Sequence, residues 1–214
     1  MRTRSRWLRR SRAGPPCKRG PEAEGFLMYD NIKTLYQAVM DCRKCRLSET
    51  RKHVVFGEGN LRADVMFVGE GPGAREDEQG RPFVGPAGQL LDRMLGEIGL
   101  KREDVYIANV VKCRPPGNRD PQDDERAACI GYLRSQVAFV KPKVIVCLGR
   151  IAAGVILGRD VRMMKEHGVC VKVKNFHIMP TFHPAALLHN PDYAEHAKND
   201  FQVLKETLHE LKLS

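Results

Sequence analysis

Four short apolar runs, separated by helix-patterned segments, fix the kind of fold this sequence can adopt. They are DVMFVG (64–69), DVYIANVV (104–111), KVIVCLG (143–149) and NFHIMPT (175–181). Each is nearly continuous in apolar and β-branched residues, the pattern of strands covered on both faces. Helical patterns occupy 86–98, 122–139 and 149–157, with a last one near 194–212 and an opening one at about 31–40. Strands that alternate with helices build an α/β fold, a parallel sheet with helices on both faces.

Every run ends in an unusual loop: EGPG, then KCRPPGNRDP, then LGR, then FHPAALLHNP. Ligands of open parallel sheets bind beyond the carboxyl ends of the strands. Four such loops on one rim therefore read as walls of a single site. The first belongs to GEGPGAREDEQGRPFVGPAGQLL (69–91), rich in glycine and proline with one phenylalanine. Its glycines let backbone come close to a ligand.

The chain has 214 residues, 42% of them hydrophobic, enough for one sizeable domain. No apolar stretch approaches the roughly 18–20 residues of a membrane span, and no secretory signal follows the start. The net charge is +10, which suggests a polyanionic partner. Residues 1–27 hold eight Lys/Arg and two Glu, leaving 28 Lys/Arg against 24 Asp/Glu for the remainder. The expected domain, 28–214, is thus only mildly basic. Residues 1–27 read as a disordered basic extension: a DNA-binding arm, translated sequence ahead of a start at Met28, or an Arg-rich transit peptide.

Seven cysteines, an odd number, argue for a reducing compartment and metal ligation rather than disulfides. Cys42 and Cys45 form a C-x2-C pair, and Cys113 and Cys129 follow with 15 residues between them. Thiolate quartets hold zinc or an iron–sulfur cluster, and spacing alone leaves both open, beside four unrelated buried thiols. Cys147 and Cys170 read as structural thiols, and Cys17 carries no assignment.

The loops GEGPGAREDEQGRPFVGPAGQLL, NVVKCRPPGNRDP and HPAALLHNP, with the cysteine quartet, resemble the family 4 uracil-DNA glycosylases over about Met28 to Leu213. The resemblance implies a three-layer α/β/α sandwich around a central four-stranded parallel sheet. It implies hydrolysis of the N-glycosidic bond of deoxyuridine in DNA, releasing uracil and leaving an abasic site. It implies that Cys42, Cys45, Cys113 and Cys129 ligate a 4Fe-4S cluster. The implied setting is a monomeric cytoplasmic enzyme of bacterial or archaeal type, acting on uracil-containing DNA, single- or double-stranded, without a membrane.

Site roles follow from the same resemblance, with chemistry beside it. Phe83 matches the residue that stacks on the flipped uracil. Asn109 can donate to uracil O4 and accept from N3–H, whereas cytosine reverses both groups. His183 matches the donor beside uracil O2, where charge develops as the bond breaks. Glu70 is the candidate for organising the site. Gly71 stands where family 1 enzymes carry a water-positioning aspartate, and Glu76 is a candidate shield at uracil C5. Leu187 matches the exposed leucine that wedges into the duplex. Arg114, Arg119 and Arg150 are candidate phosphate contacts, and GPAG (85–88) should present backbone N–H groups to DNA phosphate.

Two other readings compete. A non-catalytic iron–sulfur or zinc DNA-binding module would lack Asn109 or His183, and both are present. A different nucleotide-handling α/β enzyme would need a P-loop or a G-x-G-x-x-G after the first strand, and neither can be read there. GAREDEQGRPF also lacks the inserted basic loop ending in histidine of a related covalent subclass.

Overall fold

The computed structural model describes residues 29–213; the expected basic extension, 1–27, lies outside them. In chain order the elements are α1 (Ile32–Met40), α2 (Leu47–Thr50), β1 (Glu58–Gly59), β2 (Val65–Gly69), α3 (Ala74–Gln79) and α4 (Pro86–Glu97). There follow β3 (Tyr106–Asn109), a 3-10 turn (Pro116–Asn118), α5 (Asp123–Val140), β4 (Val144–Leu148) and α6 (Arg150–Leu157). The chain closes with α7 (Met163–Glu166), β5 (Val171–Val173), β6 (Phe176–Thr181), α8 (Pro184–His189) and α9 (Asp192–Glu210).

The sheet order is β1-β3-β2-β4-β6-β5. The four expected strands form its middle, and all three of their pairings are parallel. The sheet nevertheless has six strands rather than four. β1 adds antiparallel to β3 and β5 antiparallel to β6. These edge segments have two and three residues, too few to show a period in sequence, yet enough to cover part of an open sheet edge.

The core that a side chain enters alternates along the central strands β2 and β4. Met66 and Val68 of β2 and Ile145 and Cys147 of β4 enter one core, with Leu35 of α1, Leu133 of α5 and Ala152 of α6. Val65 and Phe67, with Val144 and Val146, enter the other, against Leu91 of α4 and Phe201 and Leu204 of α9. The two-residue period of a strand thus feeds two apolar layers. All five residues of β2 and of β4 are buried, which is why these runs show no polar face.

Local signals set the helix ends. Asn31 and Thr34 form a reciprocal capping box on α1. Gln122 and Glu125 do the same on α5. Pro86 occupies the first turn of α4, where its missing N–H costs nothing. The result places Gly69, Asn109, Leu148 and Thr181, the last residues of the four parallel strands, along one rim.

Candidate active site

Gly69 ends β2 in a crowded place. A Cβ added there would lie 2.4 Å from Asn109 Oδ1 and 2.7 Å from Phe83 Cζ. The glycine therefore lets an amide and an aromatic ring meet over bare backbone. Gly88, in the first turn of α4, plays a similar part, since a Cβ there would fall 1.8 Å from the Phe83 carbonyl oxygen. The Gly/Pro segment also contains a helix, α3, whose residue Glu76 turns back on the loop. Its Oε1 accepts the N–H groups of Val84 at 2.9 Å and Gly85 at 2.8 Å.

Phe83 has φ +51°, a left-handed conformation uncommon for an aromatic residue. Its ring faces His183, with centroids 5.6 Å apart and planes inclined by 31°.

Asn109 is 1% exposed at the end of β3. Its Oδ1 is the buried side-chain oxygen left without a hydrogen-bond partner among the described residues. Such an orphan costs about 1–3 kcal/mol and calls for an explanation. Its main chain, in contrast, is held firmly. Lys112 Nζ donates to the Asn109 carbonyl at 2.8 Å and to Gln136 Oε1 at 2.5 Å. Burial pulls the Lys112 ammonium down to about 8, against the opposing pull of Cys129 and Cys113.

His183 precedes α8, and its Nδ1 accepts the N–H of Ala185 at 3.2 Å. Burial lowers its pKa to about 4, with Glu76 opposing the shift. The imidazole is therefore neutral near pH 7, and because Nδ1 accepts, its proton resides on Nε2. Glu70 moves the other way. Burial raises it to about 7, Asp120 adds to the rise, and Arg150 and Arg126 oppose it. Gly71 is confined, since a Cβ there would lie 2.8 Å from Val111 Cγ2.

Glu70, Gly71, Glu76, Phe83, Asn109 and His183 line one pocket of about 300 Å3. All six were expected at the site, and the fold brings them together from three chain segments: the connection from β2 to α4, the end of β3 and the turn after β6. Asp120 and Asn118 complete its wall without any distinguishing sequence signal of their own. Arg102 was also missed. It lies 19 residues after Phe83 and donates to the Phe83 carbonyl at 3.1 Å.

The expected DNA contacts fare unevenly. Arg114 donates to Asn118 Oδ1 at 2.8 Å. Arg150 pairs with Asp120 at 3.0 Å, with both side chains more exposed than buried, so breaking the pair costs little. Arg119 is different, because it grips the buried Glu125 with two bonds of 2.6 and 2.9 Å. The pair holds Arg119 against the first turn of α5, where its partly exposed side chain lines the pocket. Leu187, expected to be exposed, is 7% exposed and packed in the second core, while Leu188 is 46% exposed. The α8 helix turns the first leucine inward and the second outward.

Cys42, Cys45, Cys113 and Cys129 line one hollow of about 10 Å3 with Tyr132, Arg51 and Lys112. Arg51 Nη1 donates to Cys113 Sγ at 3.1 Å, and the Lys112 N–H donates to Cys129 Sγ at 3.3 Å. Cys147 is buried in β4, as its strand pattern implied. Burial raises Cys113, and raises Cys129 to about 11. Among the described residues no three His, Cys, Asp or Glu side chains are gathered closely enough to hold a single metal ion, but four soft sulfurs around one hollow, with N–H groups directed at two of them, have the chemistry of a thiolate ligand set.

A pocket that holds an aromatic face and a buried amide edge selects one planar polar ring, the arrangement of enzymes that act on a base taken out of a nucleic acid. Residues 56–212 match the family model described as the uracil DNA glycosylase superfamily. The chain is 45% identical over 188 residues to a type-4 uracil-DNA glycosylase from Saccharolobus solfataricus, covering 84% of this chain and 87% of that one. It is 49% identical over 161 residues to the type-4 enzyme of Thermotoga maritima, covering 74% and 84%. A type-5 uracil-DNA glycosylase of Pyrobaculum aerophilum is more distant, at 35% over 147 residues, covering 60% and 64%. The chain belongs to the uracil-DNA glycosylase superfamily and, within it, to the type-4 family.

Proposed function

We propose that this protein removes uracil from DNA by hydrolysing the bond between uracil N1 and the sugar C1′. The observation that carries the reading is the partnerless, buried Asn109 Oδ1 beside the Phe83 ring. Uracil N3–H supplies the missing donor, and uracil O4 accepts from Asn109 Nδ2. Cytosine offers an acceptor at N3 and a donor at C4, so both contacts fail. Sites that reject an analogue through unmade buried hydrogen bonds reach roughly 10⁴-fold discrimination.

Bond breaking moves the N1–C1′ electron pair onto uracil, with charge spread over O2, N1 and O4. His183, neutral with its proton on Nε2, donates to O2 and stabilises the leaving anion without transferring a proton. Water oxygen then bonds to C1′, one of its protons goes to solvent, and the uracil anion leaves. Gly71 offers no base. Glu70, raised by burial to about 7, is the carboxylate we assign to orient that water. Glu76 has one oxygen committed to Val84 and Gly85, which supports a role in shaping the uracil C5 wall and excluding the thymine methyl.

The four cysteines are the ligands we assign to a 4Fe-4S cluster, consistent with the all-sulfur donor set and its N–H partners. A cluster bound there would be held by the turn between α1 and α2, the loop after β3, and α5, and would supply a cross-link among them. Arg150 and Arg114 are assigned to phosphate. Leu188 takes the wedge position that the burial of Leu187 leaves open. No helix among the described residues is long and apolar enough to cross a membrane. We place the enzyme in the cytoplasm, acting as a monomer on uracil-containing DNA.

The test is incubation with oligonucleotides that differ only in carrying uracil, thymine or cytosine at one position, followed by alkali cleavage at abasic sites. Strand scission confined to the uracil oligonucleotide is expected. Equal or absent scission on all three overturns the proposal.

A further inference from the structure

Phe83 supplies the flat face of the pocket from a backbone that does not hold itself. A non-glycine residue at φ +51° keeps that conformation only where its surroundings enforce it. The enforcement comes from a side chain outside the pocket. Arg102, in the connection between α4 and β3, donates Nη2 to the Pro82 carbonyl and Nη1 to the Phe83 carbonyl at 3.1 Å. Two carboxylates hold the guanidinium in turn. Its Nε donates to Glu58 Oε1 at 2.8 Å, and its Nη1 also donates to Asp92 Oδ1 at 3.0 Å. Arg81 pairs with the same Glu58 at 2.9 Å, so β1, α4 and the loop are tied to one planar group.

The next two residues are fixed from the opposite side, where Glu76 accepts the N–H groups of Val84 and Gly85. One backbone polar group on each of the four consecutive residues Pro82 to Gly85 is thus committed to a side chain. An ordinary ion pair would engage the carboxylates alone. The two carbonyl bonds are what connect Arg102 to the ring.

We propose that Arg102 is a positioning residue for base recognition: its guanidinium pins the Pro82 and Phe83 carbonyls so that the Phe83 ring stands in stacking position before DNA arrives. The inference rests on the uracil-excising reading above and deepens it. Only a planar fork serves two carbonyls and two carboxylates together. A lysine keeps the charge and loses the geometry.

The experiment compares the parent with Arg102→Lys, Arg102→Ala and Glu58→Gln. It measures single-turnover uracil excision from a single-stranded oligonucleotide, the dissociation constant of free uracil, and affinity for an abasic-site oligonucleotide. All are read at least 15 °C below each melting temperature. Misplacement of a reacting or stacking group by about 1 Å costs on the order of 10²-fold. The expected result is uracil binding about tenfold weaker and excision 10- to 100-fold slower in Arg102→Ala, with Arg102→Lys little better. Glu58→Gln should show a smaller loss of the same kind. Affinity for the abasic oligonucleotide, carried by phosphate contacts elsewhere, should change less than threefold. Folded variants that bind uracil and excise it at parental values overturn the inference. If Arg102→Ala does not fold, the same readouts on Arg102→Lys and Glu58→Gln decide. A parent without excision activity would sink the functional reading itself, a different failure from parental behaviour in the variants.

Discussion

Gly69→Ala is the smallest change that should disable this pocket while leaving the fold intact. Gly69 does not have a positive φ, so alanine meets no backbone strain there. The obstacle is space. The new methyl would sit 2.4 Å from Asn109 Oδ1 and 2.7 Å from Phe83 Cζ. Carbon–oxygen contacts settle at about 3.3 Å and carbon–carbon contacts at about 3.5 Å. The amide and the ring must therefore each retreat by roughly 0.8–0.9 Å, and they are the two groups assigned to read uracil's edge and face. A misplacement of that size costs about 10²-fold in rate, or roughly 2.7 kcal/mol of transition-state stabilisation. Overpacking should lower stability by about 1–3 kcal/mol as well. Single-turnover excision from a single-stranded uracil oligonucleotide, run well below the melting temperature, separates the two effects. Gly96→Ala is the control, because nothing lies within 4 Å of a Cβ added there and a helical alanine is favoured over glycine by about 0.5–1 kcal/mol. A Gly69→Ala protein that excises uracil at the parental rate would refute the assignment of Asn109 and Phe83 as the reading groups.

His183→Ala should slow single-turnover excision by about 10²–10³-fold while abasic-site DNA binding stays near parental; a parental rate would remove the leaving-group role. Glu70 titrates near 7 in the pocket and orients water only as a carboxylate, so the rate should rise as pH increases through about 7. His183, neutral at every pH above about 4, adds no limb in that range. A profile of Glu70→Gln that keeps the same rise would exclude Glu70 as its source. Leu188→Ala should weaken excision from duplex more than from single strands at an unchanged melting temperature, whereas Leu187→Ala should cost roughly 2–5 kcal/mol of stability; the reverse pattern would restore Leu187 as the wedge. Anaerobically purified protein should be brown with about four irons per chain, and Cys113→Ser should lose the colour and the iron. A colourless parent holding one zinc would overturn the cluster and leave the glycosylase reading standing.

The parallel sheet was legible because its strands are buried on both faces, so β2 and β4 read as unbroken apolar runs. The rim was legible because each strand ends in residues that strands avoid. What escaped detection was short or paired across distance. β1 and β5 carry no measurable period. α3 hides among glycines because the acidic run that forms it resembles a polar loop. The inward turn of Leu187 depends on α8 being a helix of six residues, whose phase in HPAALLHNP no flanking pattern sets. Arg119 looked free because its partner, Glu125, is buried only once α5 packs. Arg102 sits in KRED, an ordinary charged turn whose meaning exists only where α4 returns to the loop.

These omissions share a cause that bears on how the pocket works. The groups assigned to the base come from motifs, while some of the groups that hold them, Arg102 and Gln136, come from elsewhere in the chain. Asn109 shows this most clearly. Its side chain carries the orphan oxygen, yet its carbonyl is anchored by Lys112 to Gln136, and Gln136 in turn donates to the Phe56 carbonyl and Tyr106 Oη. Lys112 also donates its N–H to Cys129 and immediately precedes Cys113. The strand end assigned to read the base and the corner where the cysteines lie are four residues apart, joined through Lys112 in one buried network. In a low-dielectric interior such a network rigidifies only when every member is satisfied. Among the described residues the unsatisfied atom at its tip, Asn109 Oδ1, is where the network is left open, and Asn109 lines the pocket.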